Sequence, residues 1–383
     1  MTSFNARIAI IGGGLSGLVA AMRLAQQGVR EVVLFEARDA LGGRILSVDV
    51  GGSQVDAAEP ALDRFDLGPT WFWPALQPQL KRLVDELGLK CFDQFEDGDL
   101  LVERSAQQAP QRMHGYTSEP PSMRLVGGTG ALVAALRGRL DPRSVLTGQT
   151  VRRLQRNASH VELTVEDAAG TAATWRVEQV LLSLPPRLAK ARLRFDPPLP
   201  PELARRWSAT PTWMAPHAKY VAVYAAPFWR DQGLSGAARS GVGPMGEIHD
   251  VSMPGGHAAL LGFLGVPAHV RRQVPNEVLR SHCREQLGRL FGERAAAPVA
   301  DALKDWATDP LTATDEDQDA GGHLAEAPPR SANSGPWHGR LIGIGSEWSP
   351  EFSGYLAGAV DAAERGVKQC LAATYDPTQE QAI

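Results

Sequence analysis

The chain has 383 residues, 43% of them hydrophobic and 21% charged, with a formal net charge of −4, a profile of an ordinary soluble globular protein long enough for two or three domains. That charge gives no electrostatic case for nucleic acid or an anionic membrane as partner; no run of about 18 apolar residues spans a bilayer, and the apolar N-terminal run lacks the basic flank and cleavage site of a signal peptide. Three widely spaced cysteines, Cys91, Cys283 and Cys370, form neither a metal-ligand pattern nor a disulfide framework, so a reduced cytoplasm and no metal are expected.

The stretch from Ala6 to Arg44 reads as a βαβ unit: an apolar run Ile8 to Ile11, a glycine turn, an alanine-rich helix to about Gln27 and a second apolar run Val32 to Phe35. Gly12 permits the tight turn, Gly14 lets backbone approach a pyrophosphate, and Gly17 lets the helix pack on the sheet, so that Ser16 and its neighbours present a helix N-terminus to the phosphates. Glu36, just past the second strand, is placed to accept hydrogen bonds from an adenosine ribose and to repel a 2′-phosphate. Dinucleotide binding follows from the fingerprint in this strand–helix context.

Further along, Gln79 to Leu87 is predicted as an amphipathic helix, and Phe92 to Met123 is polar and carries no clear element. Gly127 to Gly130 leads into a helix through Leu140. Strands are predicted at Ser144 to Leu146, Val151 to Leu154, Val161 to Val165, Thr174 to Val177 and Val180 to Leu184, the last ended by Pro185-Pro186. Lys219 to Tyr224 and Ala258 to Val266 read as strands, Glu277 to Phe291 as a helix, and the acidic Thr308 to Ser334 as a long loop. Leu341 to Ile344 is a last strand, Gly345-Ser346-Glu347 a turn, and an alanine-rich helix opens at Gly354 and runs to about Ala373. Only six of the 39 basic residues are lysines (81, 90, 190, 219, 304 and 368), so the location of each is informative.

Several of these stretches together resemble the flavin-containing amine oxidase family, the monoamine and polyamine oxidases. The fingerprint is followed by Glu36-Ala37-Arg38 and Gly42-Gly43-Arg44, Leu67 to Trp71 resembles the segment that passes the flavin ring, and Phe195 to Pro200, Ala226 to Trp229 and Trp306 with Asp309-Pro310 are also similar. The ungapped Gly345 to Ala359 resembles the family's C-terminal signature. The resemblance implies FAD as cofactor, with Glu36 on the ribose, Arg38, Gly43 and Arg44 along the phosphates, Val151 offering backbone to the adenine, and Gly68, Thr70, Trp71, Trp306 and Gly345 at the flavin. Glu347 would support FAD, and the helix starting near Gly354 would face the flavin pyrimidine, where its positive end stabilises the charge gained on reduction. It further implies that Lys219, in His217-Ala218-Lys219-Tyr220, is linked through water to flavin N5, where an ammonium orders water or oxygen; read from the residues alone, Lys219 is as readily a strand-edge lysine that discourages aggregation.

The sequence also departs from the family. Members that attach FAD covalently do so through a cysteine after the Trp306 position, beside a tyrosine that forms one wall of an aromatic cage. Here those positions hold Asp315 and Glu316, or in another alignment His323 and Leu324. FAD is therefore expected to be non-covalent, with Tyr355 as the surviving cage wall, and Trp71, Phe72 and Trp73 as either a substitute wall or core. Carboxylates at Asp315 and Glu316 would favour a cationic group on the substrate, and Leu324 a bulky apolar amine.

The expected fold is α/β: a Rossmann-type, glutathione-reductase-like FAD domain from residues 1–68, 122–190 and 335–383, with an α+β substrate domain from 69–121 and 191–334. The expected reaction is oxidation of the C–N bond of a small-molecule amine, with molecular oxygen as acceptor and Lys219 and Tyr355 as catalytic residues. A C–C desaturase or dehydrogenase is the alternative redox function; a flavin-dependent isomerase or a non-catalytic flavoprotein is the alternative outside it. Substrate identity and oligomeric state are not written in the residues.

Overall fold

A computed structural model describes residues 3–54, 62–318 and 326–374. Contacts divide the chain into two compact units, Met1–Gly43, Ala135–Trp213 and Gly321–Ile383 in the first, Arg44–Ala134 and Met214–Ala320 in the second. These crossing points differ from the boundaries expected above. Strand Arg194–Asp196 adds in parallel to Thr150–Arg156 and helix Pro201–Ser208 buries Leu203 and Trp207, which holds residues 191–213 in the first unit. Strand Ser47–Val48 pairs with Phe65–Asp66, both within Arg44–Ala134 of the second.

The first unit carries a five-stranded parallel sheet in the order Val145–Leu146, Val32–Phe35, Ile8–Ile11, Gln179–Leu182, Leu341–Gly343. Strands buried on both faces need apolar residues throughout, as Ile8 to Ile11 supplies. The chain leaves Ile8–Ile11 toward one side and returns later on the other, which makes the carboxyl end of that strand the topological switch point. Helix Leu15–Gln26 packs against helix Leu356–Thr374, with Arg23 and Glu364 paired at 2.9 Å. A second sheet in this unit holds the meander Thr150–Arg156, Val161–Glu166 and Ala172–Val177.

The second unit is built on a seven-stranded, mainly antiparallel sheet: Ala300–Asp305, Ala218–Tyr224, Ala258–Leu264, Met245–Asp250, Leu234–Ser240, Asp99–Glu103, Gln111–Met113. The polar stretch after Phe92 thus supplies two of its strands. Alternation along Ala218–Tyr224 sends Ala218, Tyr220, Ala222 and Tyr224 toward the core that includes helix Asn276–Phe291, and Val221 and Val223 to the other face, against Val48, Phe65 and Leu67. Lys219 shares that second face by the same period. Among the described residues no helix is long and apolar enough to cross a membrane, and no His, Cys, Asp and Glu cluster suits a metal.

Candidate active site

In the first unit, helix Leu15–Gln26 begins directly after Gly14 with no side chain capping its first turn and no acidic residue in it. Uncapped N–H groups at a helix start favour an anion. The turn leaves room for one: a Cβ at Gly14 would meet nothing nearer than the Gly42 carbonyl oxygen at 3.8 Å, whereas at Gly17 it would run into the Gly12 carbonyl. One glycine is open to a ligand, and the other is closed by packing. Gly42 donates its N–H to Gly13 at 2.9 Å, which brings Gly43 against the same turn. Ser16 is buried, its hydroxyl 2.6 Å from that of Ser183, so any ligand contact falls to its backbone.

Glu36 is buried at the end of its strand, where its carboxylate accepts the N–H of Gly13 at 2.7 Å and of Arg38 at 2.9 Å, with the Arg38 guanidinium 3.7 Å away. Those donors fix the carboxylate and leave lone pairs for ribose hydroxyls. The Val151 side chain is in the core, and the ladder of its strand slips between Val151 and Arg153, a local irregularity that frees backbone there. An adenine dinucleotide fits this set of donors and acceptors.

The C-terminal signature lies in the same unit. Gly345 precedes a short 3-10 turn Ser346–Trp348 in which Glu347 is fully buried, the Ser346 hydroxyl 3.0 Å from its carboxylate. The helix begins at Leu356, two residues later than expected. Before it, Gly354 has φ +82°, and a side chain there would occupy the place of the Trp213 Cβ. The Trp213 indole stacks on the Tyr355 ring, centroids 6.3 Å apart and planes 27° apart, both partly exposed. Sequence reasoning missed Trp213; the only signal was an aromatic residue six positions before Lys219.

In the second unit, Lys219 is 2% exposed on a strand flanked on both sides by others, which rules out a strand-edge lysine. Its Nζ donates to the Gly68 carbonyl and, at 3.2 Å, to the Thr70 hydroxyl. The ammonium lies 4.7 Å from the Phe263 ring centroid and 5.6 Å from that of Trp71, each a cation–π contact. The turn beneath it is held along its length. The Trp306 indole N–H donates to the Leu67 carbonyl at 3.0 Å, the Gly68 N–H to Leu46 at 3.2 Å, and the Trp71 indole to Gln94 at 2.7 Å. A Cβ at Gly68 would collide with the Arg44 carbonyl. Burial pushes the Lys219 ammonium from its ordinary 10.5 down to about 8, opposed by the Asp66 carboxylate. Burial likewise lowers His217, helped by Arg271 and Lys219.

The structure therefore gathers Gly12, Gly14, Ser16, Gly17, Glu36, Arg38, Gly43, Val151, Gly345, Glu347 and Tyr355 in one unit, and Arg44, Gly68, Thr70, Trp71, Trp306 and Lys219 in the other. Phe72 is buried, whereas Trp71 and Trp73 are partly exposed. Asp315 and Glu316 sit exposed on a 3-10 turn in which the Asp317 carboxylate accepts the N–H and hydroxyl of the N-cap residue Thr314. His323 and Leu324 lie outside the described residues. Asp66 and Thr129, which tie the lysine turn from beneath, were not singled out in the sequence, because their bond to each other joins stretches 63 residues apart.

Comparison with known proteins bears on this arrangement. Residues 92–371 match the family described as flavin containing amine oxidoreductase, and residues 10–87 match the NAD(P)-binding Rossmann-like domain. A Mycobacterium tuberculosis protein named as a flavin-containing monoamine oxidase is 26% identical, the alignment covering 95% of this chain and 96% of that protein. The flavin-containing amine oxidase B of Sus scrofa is 25% identical over 95% of this chain and 86% of its own. Among solved structures, putrescine oxidase bound to putrescine superposes with a TM-score of 0.77 at 21% identity, covering 97% of this chain and all of that one (100%). Cyclohexylamine oxidase from Brevibacterium oxydans gives 0.77 at 19%, covering 96% and 99%.

Proposed function

The chain belongs to the flavin containing amine oxidoreductase family, an FAD-dependent family of enzymes, and from that membership we propose that it oxidises the C–N bond of a small-molecule amine and uses molecular oxygen as acceptor. The observation that carries the oxygen assignment is Lys219, a cation buried in the interior of a sheet and anchored on the Gly68 carbonyl and the Thr70 hydroxyl. When bound, FAD would supply the two-electron acceptor for oxidation of the amine to its imine and would hand those electrons on to oxygen. The imine so formed adds water to give a carbonyl compound and ammonia or a smaller amine, and two electrons and two protons convert oxygen to hydrogen peroxide.

The residues divide the work. We assign the helix start at Gly14 to Gly17 with Gly43 to the pyrophosphate, Glu36 to the ribose, Arg38 and Arg44 to the phosphates, and backbone at Val151 to the adenine. Glu347, Gly345 and the start of helix Leu356–Thr374 are assigned to the flavin. Gly68, Thr70, Trp71 and Trp306 hold the lysine and its turn, and we assign to them the flavin contacts that the family resemblance implies. Lys219 would supply a positive charge and a proton donor beside the flavin, and Tyr355 with Trp213 would supply an aromatic shelf for the apolar part of the amine. FAD is non-covalent in this proposal, because no cysteine occurs among residues 307–334.

Two measurements test it. Mixing the yellow protein anaerobically with a panel of amines is expected to bleach the flavin, and admitting oxygen to restore the colour with one peroxide per turnover. Failure of every amine to bleach it overturns the amine assignment, and reoxidation only by another acceptor overturns the oxygen assignment. Acid precipitation is expected to release FAD into the supernatant; colour left in the precipitate overturns the non-covalent assignment.

A further inference from the structure

The surroundings of Lys219 converge on Asp66. Asp66 is 1% exposed, at the end of strand Phe65–Asp66 and directly before the turn that receives the lysine. Its Oδ1 accepts the Ser47 hydroxyl at 2.7 Å, the Thr129 N–H at 2.9 Å and the Thr129 hydroxyl at 2.9 Å. Burial raises the Asp66 carboxyl above its ordinary range, and the Ser47 and Thr129 donors oppose that rise by favouring the ionised form. The Thr129 hydroxyl is also 2.9 Å from the Pro69 carbonyl, so its single proton is shared between the carboxylate and the turn. Asp66 thus touches the platform of the lysine through Thr129 and acts on the ammonium through its charge.

Other charged groups near the ammonium are accounted for. Lys304, its register neighbour on Ala300–Asp305, is tied to Asp309 at 2.8 Å. His217 is pushed toward its neutral form by burial. His249, packed edge-on to Trp71, is 3.2 Å from Glu247. Arg124 is buried, donates to the carbonyls of Ser252 and Val251, and opposes the rise that burial imposes on Asp66. Among the described residues, Asp66 is left as the carboxylate whose charge opposes the effect of burial on Lys219.

We propose that Asp66 is the positioning residue of this site: its carboxylate keeps Lys219 an ammonium inside the sheet and, through Thr129, fixes the turn Gly68–Thr70 on which that ammonium rests. The inference rests on the assignment of Lys219 made above. Its test uses the FAD-loaded protein with lysines labelled with carbon-13 at Cε. The chain's six lysines give six signals, and the one lost in Lys219→Met belongs to Lys219. In the parent that signal is expected to titrate near 8. Asp66→Asn lowers its midpoint by roughly one unit or more, Asp66→Glu restores part of the shift, and Thr129→Val, which keeps the carboxylate, moves it by less than about half as much. The oxygen half-reaction of the parent is expected to slow as pH rises through about 8, and that of Asp66→Asn to slow roughly one unit lower.

An unmoved midpoint in folded Asp66→Asn overturns the inference. If that variant does not fold, the parent decides: a Lys219 midpoint below roughly 7 means that no carboxylate sustains the ammonium, and overturns it equally. Should Lys219→Met reoxidise at the parent rate while Asp66→Asn still moves the lysine signal, the assignment of Lys219 fails and the Asp66 coupling stands.

Discussion

The glycine turn after Ile11 and the lysine turn after Asp66 both use backbone to receive charge, with opposite polarity and from different stretches of chain. The first presents N–H groups to an anion, and its backbone is drawn from one stretch, Gly12 to Gly43, tied by Glu36 and Gly42 to Gly13, with the Ser16 hydroxyl alone reaching out to Ser183. The second presents a carbonyl and a hydroxyl to a cation and is assembled from segments up to 239 residues apart, as in the Trp306 bond to Leu67. A contiguous site is specified by spacing and survives changes elsewhere. A dispersed one exists only when the sheet has formed, and substitutions distant in sequence reach it directly.

That contrast is open to direct tests. Lys219→Met is expected to slow reoxidation of the flavin by about 100-fold or more while anaerobic reduction by amine changes by less than roughly threefold; equal effects in stopped-flow on both half-reactions would remove the lysine from oxygen chemistry. Glu36→Arg should weaken FAD binding by about 10- to 100-fold, since two charge-assisted hydrogen bonds are lost and a cation is placed at the ribose, and an unchanged Kd would misplace the adenosine end. Trp213→Ala should alter the kcat/KM ratio of an arylalkyl monoamine to a diamine by about two- to tenfold, the span expected of an aromatic contact; a constant ratio would take the shelf away from substrate. Smallest is the double change Asp315→Asn, Glu316→Gln. Because both carboxylates are exposed, that same ratio should stay within about twofold, and a tenfold loss of diamine preference would place them at the amine.

The same contrast explains what was legible in the residues. Strands Ile8–Ile11 and Val32–Phe35 fall where the apolar runs predict them, and the intervening helix within a residue of its expected end, because a buried parallel strand and a glycine-started helix carry their signal locally. Strand Met245–Asp250 was not visible: its sequence, Met-Gly-Glu-Ile-His-Asp, is held by pairing with Ala258–Leu264 rather than by propensity. Lys219 could be singled out only through a family resemblance, since its burial depends on strands Ala258–Leu264 and Ala300–Asp305 lying on either side. Asp66 reads only as the start of a turn and Trp213 carries no periodic or motif signal, so their roles emerge from tertiary contacts.

The pairing of helix Leu15–Gln26 with helix Leu356–Thr374 has a consequence for synthesis. The partner of the first helix, and the outermost strand Leu341–Gly343 of its sheet, leave the ribosome about 330 residues later, a wait of roughly 15 to 65 s at typical elongation rates. Through that interval the apolar flank of the nascent first helix lacks its cover, which makes the young chain a client for holding chaperones. Deleting helix Leu356–Thr374 is therefore expected to cost soluble yield well before any question of catalysis arises.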